Sequence, residues 1–247
     1  MNRIEFGDCR DTMRRWAADG ENRLIKKDWE VRPVPLDQAQ ALVREYHYAR
    51  GGSNTGTFVH GLYHRLTNLL VGVVWWIPPT KGAAATVNPD WKRVLNLTRM
   101  VMIPGVPKNA CSFLLARSVK AIKRDGRFVT LLTYADQGEG HDGGVYRAAN
   151  WQYVGESSAE ERWIDPTTGR HVARKAGGKT RTAAEMESLG YIRGGKTRKH
   201  KFVLHLAPRK ATALGSGITA AVALQQARIA TAEQLRKTQM SFLEDAA

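Results

Sequence analysis

The chain has 247 residues, 43% hydrophobic and 25% charged, the composition of an ordinary globular protein with a core of its own. No apolar run approaches the ~20 residues that cross a bilayer, the opening Met1 to Phe6 lacks the apolar stretch of a secretory leader, and two cysteines, Cys9 and Cys111, make no disulfide framework, so a cytoplasmic setting is expected. Lys plus Arg is 38 against 23 acidic residues, a net charge of +15 and a pI near 10.1; that field favours a polyanion, and because the basic clusters lack a wide apolar helix face, nucleic acid is expected rather than a membrane.

In chain order, Ile4 to Asp11 suggests a strand running into a helix capped by Asp8 or Asp11. Val31 to Val34 is a short strand, and Asp37 is an N-cap for a helix from Gln38 to about Tyr48 with Ala39, Leu42, Val43 and Tyr46 on one face. Gly51 to Asn54 ends it. Thr57 to Tyr63 and Leu69 to Ile77 form a hairpin about His64-Arg65-Leu66-Thr67. Val94 to Ile103 alternates as a strand, and the turn Pro104 to Lys108 leads into an apolar helix from Asn109 to about Arg124, stopped by Gly126. Phe128 to Tyr134 is apolar throughout, as a fully buried strand is. The glycine-rich loop Gly138 to Gly144 precedes a short helix, Val145 to Asn150, and a strand, Trp151 to Gly155. Glu161 to Pro208 is basic and hairpin-like, closing on a strand at Phe202 to Leu206; the tail after Thr212 has helical spacing. The expected architecture is mixed α/β: a central sheet flanked by helices over residues 31–210, an N-terminal segment 1–30, a basic hairpin insertion and a C-terminal helical tail 211–247.

Several polar residues fall where side chains do work. His47 and Tyr48 end a helix before a glycine-rich turn, placed to orient a substrate or to ligate a metal through imidazole and phenolate. Arg99 lies mid-strand in an apolar run, where its charge requires an anion: a cofactor phosphate, or Asp136 on the neighbouring strand. Asp136 follows a buried strand and opens a loop, the position of working residues in open α/β sheets. His141, within the glycine-rich loop, completes a candidate metal set of His47, Tyr48, Asp136 and His141, an O/N mixture suited to iron better than to zinc. Arg170, Arg174, Lys175, Lys179, Arg181, Arg193, Lys196, Arg198, Lys199 and Lys201 interleave with glycines as an arm suited to a phosphate backbone. Trp75, Trp76, Trp91 and Trp151 are expected in the core, with one of them free to stack on an extruded base.

The order of elements resembles the GNAT acyltransferase core. In that resemblance Pro107-Lys108-Asn109-Ala110-Cys111-Ser112 takes the place of the glycine-rich pyrophosphate loop, with Lys108, Asn109, Ser112 and Arg99 toward the cofactor, and Tyr146 of Val145 to Gly155 serves as general acid. A closer resemblance runs from Val31 to Leu206. The segments Tyr46-His47-Tyr48-Ala49-Arg50, Leu97-Thr98-Arg99, Pro107 to Ser112, Tyr134-Ala135-Asp136, Gly140 to Tyr146 and Lys199 to Val203 look like the Mom family of phage proteins. The resemblance implies a transferase that places a carbamoylmethyl group on the exocyclic amine of adenine in phage DNA and so blocks restriction, with acetyl-CoA as precursor, iron as a second cofactor, and double-stranded DNA with a flipped adenine as partner. The chain would then act in the host cytoplasm.

Two other readings compete. The opening Ile4 to Cys9 looks like that of amino-methyltransferases that use S-adenosylmethionine, but Ile77-Pro78-Pro79-Thr80 lacks both the polar residue and the tyrosine of their catalytic motif. A non-enzymatic basic DNA-binding protein would account for the charge and the arm, yet not for Arg99, Asp136 and Tyr146 at strand ends and a helix start of one sheet.

Overall fold

The computed structural model describes residues 23–206 with the exception of Gly177. Expectations for the opening strand and helix and for the tail after Thr212 lie outside these residues. Seven strands form the main sheet: β1 (Trp29–Pro33), β2 (Phe58–His64), β3 (Leu70–Ile77), β4 (Val94–Met102), β5 (Thr130–Asp136), β6 (Gln152–Glu156) and β11 (Lys199–His205), in the order β1-β2-β3-β4-β5-β11-β6. Every neighbouring pair is antiparallel except β4 with β5.

Two helices cover opposite faces. Helix α1 (Leu36–Tyr46) buries Ala39, Leu42 and Val43, the apolar stripe expected at helical spacing. It starts one residue beyond Pro35, so Asp37 lies in the first turn rather than at the cap, and it ends before His47, which is extended at φ −95° and ψ 137°. On the same face the five-residue helix α2 (Lys81–Ala85), capped by the Thr80 hydroxyl, contributes Ala84 to a small cluster with Val94, Leu132 and Val203. Helix α3 (Ala110–Asp125) packs on the other face and ends at Gly126, whose φ of +82° is a conformation glycine adopts without strain. Successive residues of β3 divide between the two faces. Trp75 lies against the loop after α1 and donates to the Thr55 carbonyl, whereas Trp76 donates to Ser118 of α3 at 2.8 Å. Ser118 also bonds His60 Nδ1 at 2.8 Å, giving the fully buried core a polar pin. Trp75, Trp76 and Trp151 are buried, as expected; Trp91 is half-buried with the Lys81 and Lys92 ammoniums each 5.7 Å from its ring.

Helix α4 (Gly144–Ala148) follows the glycine-rich loop. Between β6 and β11 the chain makes an insert, residues 157–198: a ribbon of β7 (Glu160–Ile164) with β10 (Ile192–Thr197), a small hairpin β8 (Lys175–Ala176) with β9 (Lys179–Thr180), and helix α5 (Ala183–Ser188). The insert was expected as a hairpin; α5 was not, although Thr182 and Glu185 form a complete capping box at its start. Trp163 and Met186 are its buried residues.

Candidate active site

The site arises where two strands part. β4 and β5 pair only from Val94 with Thr130 to Leu97 with Thr133. Beyond that point β4 has one residue too many: Trp75 faces Arg99 and Trp76 faces Leu97, so Thr98 is left between them as a bulge. The Thr98 hydroxyl donates to the Trp75 carbonyl at 3.1 Å, and β4 stays with β3. β5 meanwhile continues along β11 until Asp136 faces Lys199. The gap at the carboxyl ends of these two strands is a cavity of about 320 Å³. Alternation along β5 sets Leu131, Thr133 and Ala135 toward α3 and Leu132, Tyr134 and Asp136 toward α1, and residues of both sets line the cavity, so it opens through the sheet.

On the α1 side stand His47, Tyr48, Asp136 and His141. Asp136 is buried, and its Oδ1 accepts the Gly138 N–H at 3.0 Å. The rings of His47 and Tyr48 stack at 4.4 Å, and Tyr48 lies 5.8 Å from the His141 ring. Burial, with the Arg99 and His141 charges nearby, lowers the His47 pKa to about 4, so the imidazole is neutral at neutral pH. Its Nδ1 accepts the Ala49 N–H at 3.0 Å, which leaves the proton on Nε2. Burial and the Asp136 carboxylate raise Tyr48 to about 12, keeping the phenol protonated.

Of the two anions expected for Arg99, Asp136 is not its partner. Arg99 meets no carboxylate among the described residues: Nε donates to the Gly51 carbonyl and Nη1 to the Thr98 carbonyl, both at 2.7 Å. A guanidinium has five donors, and two backbone oxygens brought close by the bulge and the post-α1 loop satisfy part of them. Burial lowers its pKa, with Tyr48 acting in the opposite sense.

The metal expected from the resemblance finds no support among the described residues. Among the described residues no group of three or more His, Cys, Asp or Glu is arranged to hold an ion. His47 with Nδ1 engaged as an acceptor has its proton on Nε2, the nitrogen a metal would need. His47, Tyr48, Asp136 and His141 do meet in one cavity, where they stand as hydrogen-bonding groups.

On the α3 side the cavity is lined by Met100, Met102, Cys111, Thr133 and Tyr146. Tyr146 is buried among Trp151 and Phe202 and bonded to the Thr133 side chain; burial raises its pKa to about 12. Burial likewise pushes the Cys111 thiol up to about 11, so it is a neutral wall and not a nucleophile. The loop that positions α4 needs Gly143, at φ +78°, because a Cβ there would stand 2.2 Å from the Phe202 ring. Met100, Met102 and Thr133 carry no local sequence signal; the parting of β4 from β5 reveals them.

The residues expected to hold a cofactor divide. Asn109 and Ser112, at the start of α3, line a separate groove of about 480 Å³ with Lys26, Phe113, Arg117 and Lys120, while Arg99 stays with His47 and Tyr48. Lys108 lines neither space, and its carbonyl accepts the Leu24 N–H. The basic arm is also less uniform than its sequence. Lys179 pairs with Glu185 at 2.9 Å, Arg193 with Glu187 at 2.8 Å, Lys199 with Glu160 at 3.4 Å, and Arg198 with Glu156 at 3.8 Å. Arg174 donates to the Arg181 carbonyl. Lys201 lies on the main sheet beside Tyr134, bonded to Thr86. Among the described residues of the arm, Arg170, Arg174, Lys175 and Lys196 are exposed and enter no ion pair, although Lys196 stands opposite Glu161 in the β7–β10 ribbon.

A family model described as the Mom protein family matches residues 28–220. The methylcarbamoylase Mom of Escherichia phage Mu is 26% identical over 133 residues, which is 52% of this chain and 54% of that protein, so the match spans about half the length of this curated relative. Solved structures include an agmatine N-acetyltransferase, 14% identical with a TM-score of 0.46 over 72% of this chain and 100% of that one. An N-acetyltransferase from Staphylococcus aureus has 11% identity and a TM-score of 0.43 over 72% and 98%. A protein from Salmonella typhimurium described as an acetyltransferase with its cofactor acetyl-CoA has 8% identity and a TM-score of 0.44 over 74% and 97%.

Proposed function

The chain belongs to the Mom protein family, and from that premise we propose that it is a DNA-modifying transferase that adds a carbamoylmethyl group to the exocyclic amine of adenine in phage DNA, protecting that DNA from host restriction. The observation that carries the reading is the cavity opened by the Thr98 bulge: about 320 Å³, at the lower end of the ~300–1,000 Å³ of small-ligand sites, with a different chemistry on each face of the sheet. An adenine inside a duplex cannot present its amine there, so the base enters extruded. It enters on the α1 side, where Asp136 stands as base toward the amine and the neutral His47 and Tyr48 offer N–H and O–H donors to the ring nitrogens. Arg99 supplies a half-buried positive charge near them.

The donor, acetyl-CoA in this reading, approaches from the α3 side. Asn109 and Ser112 with Lys26, Arg117 and Lys120 offer its phosphates a basic groove at a helix start, and Met100, Met102 and Cys111 offer its apolar arm a neutral wall. Tyr146, protonated and buried, would protonate the thiolate released where an acyl–sulfur bond breaks, a step that by itself delivers an acetyl group; a carbamoylmethyl product needs in addition an amide nitrogen and a two-electron oxidant for the methyl carbon. Direct acyl transfer would leave an acetyl amide, whereas a carbamoylmethyl group joins nitrogen to a methylene carbon; the mass of the product tells them apart. The test is mass spectrometry of nucleosides from plasmid DNA of cells expressing the chain, beside Asp136→Asn. We predict a carbamoylmethyl-deoxyadenosine, reduced in the variant by about 10²–10⁴-fold with DNA binding retained. A methyl increment would point to a methyltransferase, and unmodified DNA with tight binding to a DNA-binding protein that is not an enzyme.

A further inference from the structure

Among the described residues, one ion pair between the insert and the site is largely buried. Arg162 of β7 donates from Nη2 to Glu139 Oε1 at 2.5 Å, and the two side chains are only 15% and 20% exposed. The other ion pairs of the insert each include a side chain more than half exposed. Glu139 ends the tight turn Gln137–Glu139 that follows Asp136. The Arg162 guanidinium lies directly over that turn: a Cβ on Gly138 would stand 2.0 Å from Nη1 and 3.0 Å from Cδ and Cζ. Gly138 is thus the residue that lets the guanidinium close down, and its own N–H is the one that donates to Asp136 Oδ1. The other end of the turn is held where the insert rejoins the sheet, through the Gln137 N–H to the Arg198 carbonyl and the Gln137 amide against Glu156 and His200. The Arg162 and Glu139 charges also reach Tyr48 across the cavity.

We propose that Arg162 is a positioning residue: by clamping Glu139 over Gly138 it fixes the turn that orients Asp136, and it makes the seating of DNA on the insert felt at the cavity. The proposal rests on the reading of the protein as a DNA-modifying transferase for its second half, and on the geometry alone for its first. Losing one partner of a largely buried charge pair leaves the other unsatisfied, so the turn should loosen when either is removed. Gly138→Ala, which drives a Cβ into the guanidinium, should do the same from a third direction.

The test is hydrogen exchange of the full chain, followed by mass spectrometry of the segment 134–144, with and without duplex DNA, for the wild type, Arg162→Met, Arg162→Lys and Glu139→Gln. Exchange in 134–144 should rise severalfold in Arg162→Met and in Glu139→Gln and return partway in Arg162→Lys. DNA should protect 134–144 in the wild type and not in Arg162→Met. In turnover, kcat should fall at least tenfold in both neutralising variants while KM for DNA stays within about twofold, a split that a loss of DNA contact alone would not give. If Arg162→Met raises exchange throughout 157–198, Glu139→Gln, which lies outside the insert, decides. Unchanged exchange in 134–144 for Glu139→Gln overturns the proposal. A wild type that binds DNA yet modifies none removes the functional reading, and the exchange of free protein still decides whether Arg162 sets the turn.

Discussion

The sheet body and the insert are built on different principles. In the body, Trp75, Trp76, Leu95, Leu114, Leu115 and Ile122 are fully buried, and even its polar contacts, such as Ser118 between His60 and Trp76, are sealed from water. In the insert Trp163 and Met186 make the core, β10 is exposed along nearly its whole length, and the remaining order comes from a capping box and surface ion pairs. Surface pairs contribute little to stability, whereas buried side chains lose most when truncated. The difference matches the work assigned to each. On the proposed function, aligning an amine, a base and a donor would need positions fixed to a fraction of an ångström, which the body supplies, whereas following a phosphate backbone would need only positive charge at suitable spacing.

The sharpest test of that contrast is a pair of substitutions. Ser118→Ala strips a bond from the Trp76 indole and another from His60, both buried, and should lower unfolding free energy by about 3 kcal/mol with the denaturant slope unchanged. Lys179→Ala, which breaks a pair whose side chains are 75% and 41% exposed, should leave the urea midpoint where it is. Equal losses would mean that the insert is as tightly integrated as the body, and the comparison would fail.

A smaller effect follows from the lowered pKa of His47. Its folded value, about 4, lies below the unfolded 6.5, so the native state disfavours the proton. The stability is therefore fully present above pH 6.5 and is lost as pH falls from there toward 4. Between pH 7.5 and 5 this one residue should cost about 2 kcal/mol, and His47→Gln should flatten that part of the profile in urea titrations at the two pH values. An unaltered slope in the variant would place the acid sensitivity elsewhere, with the equally buried His60 next to examine, its pKa lowered by burial.

Local patterns made much of the body legible. The spacing of Ala39, Leu42 and Val43 marked α1, Gly126 marked the end of α3, and the apolar runs about His64 to Thr67 marked the β2–β3 hairpin. His47, Tyr48, Asp136, His141 and Tyr146 were read as site residues from loop and strand-end positions, and the fold brings all five to one cavity. What escaped depends on contacts between distant residues. A bulge at Thr98 is a fact about two ladders, and the Arg162–Glu139 pair joins residues on opposite sides of an α4–β6 excursion. Arg99 was assigned an anion because a charge in an apolar strand needs a partner; carbonyls of Gly51 and Thr98 meet part of the same need. The Thr182–Glu185 capping box has a local sequence pattern, Thr followed three residues later by Glu, that the hairpin expectation for this region did not use.

The finest distinction concerns the arm itself. Four of its cations, Lys179, Arg193, Arg198 and Lys199, are already paired with carboxylates, so those free to replace counterions on DNA are the exposed ones outside any such pair, Lys175 and Lys196 among them. Each phosphate neutralised contributes about −0.9 to the slope of log affinity against log salt. Lys175→Ala with Lys196→Ala should therefore weaken duplex binding severalfold at moderate salt and make the slope shallower by about 2. Titrations at a series of salt concentrations read both quantities, and turnover at saturating DNA should be unchanged. A fall in saturating turnover instead would mean that the arm acts on the chemistry through its charges as well as through Arg162, and the division of labour between insert and body would have to be redrawn around that path.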